Sequence, residues 1–159
     1  MRKYFAVICG LFVMVSAQAD VLSPASIAAR IGQQGADPVV RQLVANGEYE
    51  WVLDRIQAGN GQWIALAPRL APGTDAGTAE DLGIALAYAL PENPEAVLSV
   101  IDLRDDPVIG VIRVCGVPFV EGTMNEVHAY VKRALTAVSH ADSPRLARVR
   151  LACLNALRR

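Results

Sequence analysis

The residues of this chain whose types could support chemistry are widely spaced and form no recognised catalytic set. His128 and His140 are the two histidines, twelve positions apart. On one helix, twelve residues leave two side chains about 120° apart, which is unsuitable for two metal ligands on one face. The sequence also contains no G-x-S-x-G elbow, H-E-x-x-H motif, P-loop or G-x-G-x-x-G motif. We therefore expect no catalytic residue, metal or other cofactor, and we expect the protein not to be an enzyme.

The strongest candidate for a cation site is an aspartate cluster around one interhelical turn. Asp102, Asp105 and Asp106 lie there together with Arg104. Three carboxylates suit Ca²⁺, but the spacing and the glycine of an EF-hand loop are missing. Because Asp106 precedes a proline, we interpret it as a helix cap rather than a metal ligand.

Two acidic pairs resemble the acid and base of a hydrolase only in composition. They are Glu48 with Glu50 and Glu80 with Asp81. We expect each pair to lie in the first turn of a helix, where carboxylates complement the helix dipole.

One tryptophan is a candidate for partner binding. Trp51 lies beside Asp54 and Arg55 on a predicted helix, away from that helix's apolar stripe. A tryptophan among charged residues is typical of an interface anchor. The alternative is that Trp51 stacks against a neighbouring helical repeat. Trp63 has apolar neighbours and is predicted to belong to the core.

The N-terminal residues 1–19 have the three parts of a secretory signal peptide. Two cations, Arg2 and Lys3, precede an uncharged apolar run of twelve residues, 4–15, and an Ala-Gln-Ala sequence ends at residue 19. The run is too short to span a bilayer of about 30 Å. We expect cleavage before Asp20. Arginine outnumbers lysine thirteen to two, a bias typical of GC-rich bacteria, so we expect the mature chain in the periplasm or secreted.

Cys115 and Cys153 are the two cysteines left after cleavage. An exported protein meets an oxidising compartment, so the pair predicts one disulfide. In the chain-entropy model this disulfide contributes ~3–4 kcal/mol. The alternative is two buried free thiols.

Charge is uneven along the mature chain. Residues 20–127 hold six arginines against fifteen carboxylates, whereas residues 128–159 hold seven cations against Asp142 alone. The acidic majority argues against nucleic acid as the main partner. The basic segment is suited to an acidic partner or to the surface of an anionic membrane. In the simpler interpretation it only solvates the last helices.

Capping residues, prolines and helical periodicity predict an all-α fold of about eight or nine short helices in a single domain, residues 20–159. Residues Thr78–Asp81 and Thr123–Glu126 are predicted capping boxes, and Pro68 predicts a kink or break. The predicted helices are 24–34, 38–46, 48–58, 61–71, 79–90, 94–103, 107–116, 124–139 and 144–157.

A shift of 45 residues aligns much of the chain with itself. Val52 and Ile56 fall on Val97 and Ile101, and the pair Gly77-Thr78 falls on Gly122-Thr123. The period predicts two three-helix repeats, residues 48–90 and 93–138. In this periodicity the chain resembles helical repeat proteins of the HEAT and armadillo kind, which implies a right-handed α-α superhelix with capping helices at both ends. The alternative is an irregular helical bundle.

These properties favour a protein-binding module of the cell envelope. In size, address and helix content the chain is similar to small periplasmic immunity proteins, although no motif of those proteins is matched. That similarity implies an inhibitor whose partner is another protein. The alternatives are an adaptor or assembly factor of an envelope complex and, less favoured, an enzyme.

Overall fold

Ten α-helices make up most of the protein in a computed structural model that describes residues 22–104, 108–118 and 122–159. The helices are α1 Pro24–Gln34, α2 Ala36–Ala45, α3 Glu48–Gln57, α4 Gly61–Ile64, α5 Ala67–Leu70, α6 Ala76–Ala89, α7 Pro94–Val100, α8 Val111–Val114, α9 Met124–Ser139 and α10 Ala147–Leu157. Short 3-10 helices cover Ala71–Gly73 and Pro144–Leu146. The β geometry in the described residues is one isolated bridge between Asp102 and Gly110. The prediction of an all-α single domain is confirmed.

Local capping chemistry explains the helix ends that the sequence predicted best. The Ser23 hydroxyl accepts a hydrogen bond from the Ser26 amide at 3.1 Å, and Pro24 occupies the first position of α1. Thr123 and Glu126 form the predicted capping box at the start of α9. Gly35 ends α1 with a φ of 86°, a backbone conformation that favours glycine.

Helix α6 is the centre of the core. It packs on α3, α7 and α8, and α3 and α9 each direct a tyrosine hydroxyl at one of its backbone carbonyls. The hydroxyl of Tyr49 donates to the Thr78 carbonyl and that of Tyr130 donates to the Ala87 carbonyl, each at 2.8 Å. Because both phenols are satisfied by backbone oxygens, they stabilise helix positions at little desolvation cost.

Several predicted helices differ from the structure at their ends or middle, three of them as follows. Helix 61–71 is divided into α4, α5 and a 3-10 turn, and the break lies before Pro68 because that proline occupies the first turn of α5. Helix α2 begins at Ala36, so Asp37 lies in its first turn and binds Arg41 instead of capping it. The predicted helix 107–116 is reduced to α8, because Val108 and Ile109 are buried in a turn next to the bridge.

The predicted capping box at Thr78 is wrong. Helix α6 begins earlier, at Ala76, and the Asp75 carboxylate caps it by accepting from the Thr78 amide at 3.0 Å. The Thr78 hydroxyl returns a hydrogen bond as the third residue of that box. Asp75 is the better cap because an ionised carboxylate also complements the positive end of the helix dipole.

The predicted disulfide is present. Cys115, directly after α8, is bonded to Cys153 in α10, and the two Cα atoms are 5.3 Å apart. Both residues are fully buried. The bond therefore fastens the last helix to the middle of the fold, alongside the packing of α10 on α9.

The two predicted repeats share some elements and not others. Helices α3 and α7 occupy equivalent positions under the shift of 45 residues, and so do α6 and α9. The middle element differs, because α4 and α5 correspond to the bridge region and α8. The right-handed superhelix and the cleaved residues 1–19 stay predictions, and residues 1–19 lie outside the described residues.

Candidate partner-binding surface

Helix α3 carries the three residues that the sequence singled out for partner binding. Its inward side buries Tyr49, Val52 and Ile56, which follow the helical period. Trp51, Asp54 and Arg55 lie on the other side and are exposed. Residues three and four apart share one helix face, so this part of α3 forms a continuous surface around Trp51.

Trp51 is held from two directions while it stays accessible. Its side chain is 38 % exposed, whereas Trp63 below it is 6 % exposed. The two rings meet edge to face at 84°, with centroids 5.1 Å apart. The guanidinium carbon of Arg55 lies 4.6 Å from the centroid of the Trp51 ring. Trp63 is a core residue as predicted, and Trp51 packs on it without being buried by it.

The turn that supports Trp63 is itself fixed by hydrogen bonds. The Asn60 side chain caps α4 by accepting from the Gln62 amide at 3.1 Å. The Asn93 side chain donates to the Gly59 carbonyl at 2.9 Å and links this turn to the start of α7. The tryptophan pair therefore rests on a rigid base, which lowers the conformational entropy lost on binding a partner.

The charges around Trp51 are mainly acidic. Glu48 and Glu50 lie in the first turn of α3, and Asp54 follows one turn after Glu50. Arg55 is the one cation in this helix. Each carboxylate of the first turn complements the helix dipole, as expected. The surface thus combines an exposed tryptophan and an arginine, residue types enriched among the strongest contributors to protein interfaces, with flanking carboxylates.

Tyr49 has a structural role beneath this surface. Burial, followed by the nearby charges of Asp81 and Asp75, raises the pKa of its phenol far above the ordinary value. The phenol therefore stays neutral and keeps donating to the Thr78 carbonyl. Its strong perturbation reflects the core and indicates no acid–base function.

The histidines lie on the solvent side of α9. His128 and His140 are both exposed, and His140 Nδ1 is 2.7 Å from the Thr136 carbonyl oxygen. Within residues 22–104, 108–118 and 122–159, no three His, Cys, Asp or Glu side chains are grouped so that they could hold a metal ion.

The aspartate cluster has a simpler explanation in the part that the structure describes. Asp102 binds Arg104 through both carboxylate oxygens, with contacts of 3.1 Å to Nε and 2.7 Å to Nη2. Hydrogen bonds from the Arg104 side chain and backbone lower the pKa of Asp102. Asp105 and Asp106 lie outside the described residues.

The interpretation of Glu80 and Asp81 as first-turn acids is wrong. Because α6 begins at Ala76, both residues lie beyond its first turn. Glu80 instead approaches Arg113 of α8 at 4.0 Å, an exposed ion pair that contributes little to stability.

A depression of about 710 Å³ lies between the start of α6 and the bridge region. It was not predicted from the sequence. Asp75, Asp102 and Arg104 are its charged residues, and Val108 and Ile109 form part of its wall. Both carboxylates already accept hydrogen bonds, from Thr78 and Arg104. No sequence pattern could have joined segments that lie about 30 positions apart, because only tertiary packing brings them together.

Comparisons with known proteins identify no relative. No protein-family model matches the chain, and no match is found among curated proteins or solved structures. Among the described helices, none has the length and apolar character needed to cross a bilayer. Function must therefore be argued from the surface of the molecule.

Proposed function

We propose that the mature protein is an exported, non-catalytic protein-binding module of the periplasm that inhibits its partner in the manner of an immunity protein. The three-part N-terminal sequence supports export, and the disulfide suits an oxidising compartment. The partner would be a protein that meets the outer side of α3.

The observation that carries this proposal is the preorganised state of Trp51. A tryptophan with about a third of its surface accessible, fixed by Trp63 and Arg55, offers a partner a large apolar contact at small entropic cost. Binding energy in protein interfaces concentrates in such Trp and Arg residues. The flanking carboxylates would direct the surface towards a partner with basic groups.

A growth assay and a binding assay test the proposal together. The expected partner is a toxic envelope enzyme encoded next to this protein's gene, and co-export of both should restore growth. Replacing Trp51 by Ala should weaken the complex by a factor of about 30 or more, since interface anchors contribute ~2 kcal/mol or more. Rescue of growth should fall with the affinity.

The matched control is Trp63→Ala. Trp63 is almost fully buried, so its truncation should cost ~3–5 kcal/mol of folding stability. Trp51→Ala should cost only ~1–2 kcal/mol, from the lost ring pair and cation–π contact. If Trp51→Ala unfolds the protein as Trp63→Ala does, or leaves affinity unchanged, α3 is not the binding surface. An adaptor would bind envelope machinery and protect against no toxin.

A further inference from the structure

The arginines of this protein fall into two groups according to what they contact. All six between residues 22 and 118 have a partner within the chain. Their partners are Gln42 for Arg30, Asp37 for Arg41, Trp51 for Arg55, the Ala28 carbonyl for Arg69, Asp102 for Arg104 and Glu80 for Arg113. Each of these cations thus already has an intramolecular partner.

The last two helices contrast sharply with that pattern. Arg133 pairs with Glu92 at 3.7 Å, and Arg150 pairs with Asp142 at 3.3 Å. The five other cations of this segment have no carboxylate within 4.0 Å among the described residues, and all are exposed. They are Lys132, Arg145, Arg148, Arg158 and Arg159.

Helix α10 and the residue after it present two of these charges on one outward stripe. Arg148, Leu151, Asn155 and Arg158 follow the spacing i, i+3, i+7 and i+10, which places them along one side of a helix. Leu151 is 60 % exposed in the middle of that stripe. The opposite side of α10 is buried through Val149, Cys153 and Leu157. No acidic residue occurs after Asp142.

We propose that this outward side of α10, with Arg145 of the 3-10 turn before α10, is a docking surface for an anionic phospholipid membrane. Clustered Lys and Arg side chains on a helix are attracted to negatively charged headgroups. One exposed leucine among them is suited to enter the headgroup layer. Since the apolar side of α10 is fastened to the core by packing and the disulfide, the helix would adsorb flat and not insert.

A membrane suits this surface better than an acidic protein does. Residues 139–159 contain no aromatic side chain that could serve as an interface anchor, whereas mobile lipid headgroups adapt to any arrangement of cations.

Helix α3 packs on α6, and α10 packs on α8 and α9, so α6 and α8 lie between the two surfaces. Adsorption through α10 would leave the Trp51 surface accessible, and the inference does not depend on the function of that surface.

Vesicle co-sedimentation of the protein without residues 1–19 tests the proposal. At low salt the protein should bind vesicles of equimolar phosphatidylglycerol and phosphatidylcholine, and not vesicles of phosphatidylcholine alone. The triple variant Arg148→Gln, Arg158→Gln, Arg159→Gln should bind on the order of 100-fold more weakly, since each cation near an anionic surface contributes about fivefold. Salt above ~0.5 M should abolish binding by screening.

A matched variant removes the same charge elsewhere. Arg30→Gln, Arg41→Gln, Arg104→Gln changes three arginines outside α9 and α10, of which Arg41 and Arg104 are exposed and Arg30 is half-buried, and it should leave vesicle binding nearly unchanged. Leu151→Ser should weaken binding roughly threefold to tenfold while net charge stays constant. Circular dichroism melting curves of each variant verify that it folds.

Three outcomes would overturn the proposal. The first is absence of phosphatidylglycerol-dependent binding by the folded protein. The second is equal loss of binding in both triple variants, which would show a response to net charge without a defined surface. The third is tight binding to soluble poly-glutamate with no binding to vesicles, which would assign the α10 surface to an acidic protein.

Discussion

Removal of the Cys115–Cys153 cross-link should lower the stability of this protein without abolishing its fold. The bond joins residues 38 positions apart, and the chain-entropy model gives about 4 kcal/mol for a loop of that length. The loop contains all of α9, whose packing on α10 is independent of the bond. Val149 and Leu157 are also buried on α10, so the helix should remain docked after reduction.

The size of the effect in a thermal melt follows from the length of the chain. Unfolding entropy near 2.1 cal/mol/K per residue, over the ~140 residues expected after cleavage, makes 1 kcal/mol equivalent to a shift of about 3.4 °C in Tm. The expected loss is therefore about 13 °C. Urea unfolding should give a lower midpoint with a larger m value, because the uncrosslinked unfolded chain exposes more surface.

The assay compares the oxidised protein, the same protein under reductant, and the double variant Cys115→Ala, Cys153→Ala. Under reductant the native protein and the double variant should become similar, and Cys115→Ala alone should match the double variant. That comparison separates the cross-link from the small loss of buried sulfur. A change of less than about 1 kcal/mol on reduction would refute the reasoning, because it would mean that the unfolded chain gains little freedom when the loop is opened.

Two further predictions concern a close backbone contact and a helix cap. A Cβ at Gly73 would lie 2.4 Å from the Ala36 carbonyl carbon, so Gly73→Ala should lower the free energy of unfolding in urea by ~2–3 kcal/mol. Gly77→Ala is the control, because its Cβ would contact Asp75 at an ordinary 3.8 Å, and it should be neutral or slightly stabilising. Equal effects of the two substitutions would contradict the close contact at Gly73. Hydrogen bonds from Thr78 hold the pKa of Asp75 below its ordinary value, so the stabilisation by this carboxylate is present above about pH 4 and is lost as the pH falls through the folded-state pKa. Asp75→Asn keeps a capping oxygen and should flatten the fall of Tm with pH below 4. Parallel profiles for Asp75→Asn and the native protein would refute the assignment.

Local chemistry explains why much of the helix content could be predicted. Helix α9 has the predicted bounds 124–139 because Thr123 and Glu126 satisfy its first amides from within four residues. Helix α1 likewise begins at Pro24 as predicted. The disulfide was predictable because the two cysteines that remain after the predicted cleavage leave one pairing, and the predicted export favours an oxidised pair.

Local patterns failed where long-range packing decides the backbone. The apolar run around Val108 and Ile109 has helical spacing, yet the Asp102 amide donates to the Ile109 carbonyl at 3.0 Å and both apolar residues are buried in a turn. The start of α6 was misplaced by three residues because Thr78 and Asp75 are both competent caps, and the Asp75 carboxylate caps the helix in the structure.

For the two candidate surfaces too, the sequence predicted part of the features and the tertiary structure decided the rest. From residue order alone, Trp51 lies beside Asp54 and Arg55, and the last 32 residues are basic. Only the tertiary structure places Trp63 under Trp51 at 5.1 Å. Only it separates the arginines with an intramolecular partner from those that have no carboxylate within 4.0 Å among the described residues. Helix caps and cysteine pairing act over a few residues or through composition, so sequence determines them. Exposure, ring contacts and ion pairs depend on which distant segments pack together, and that packing is a property of the whole chain.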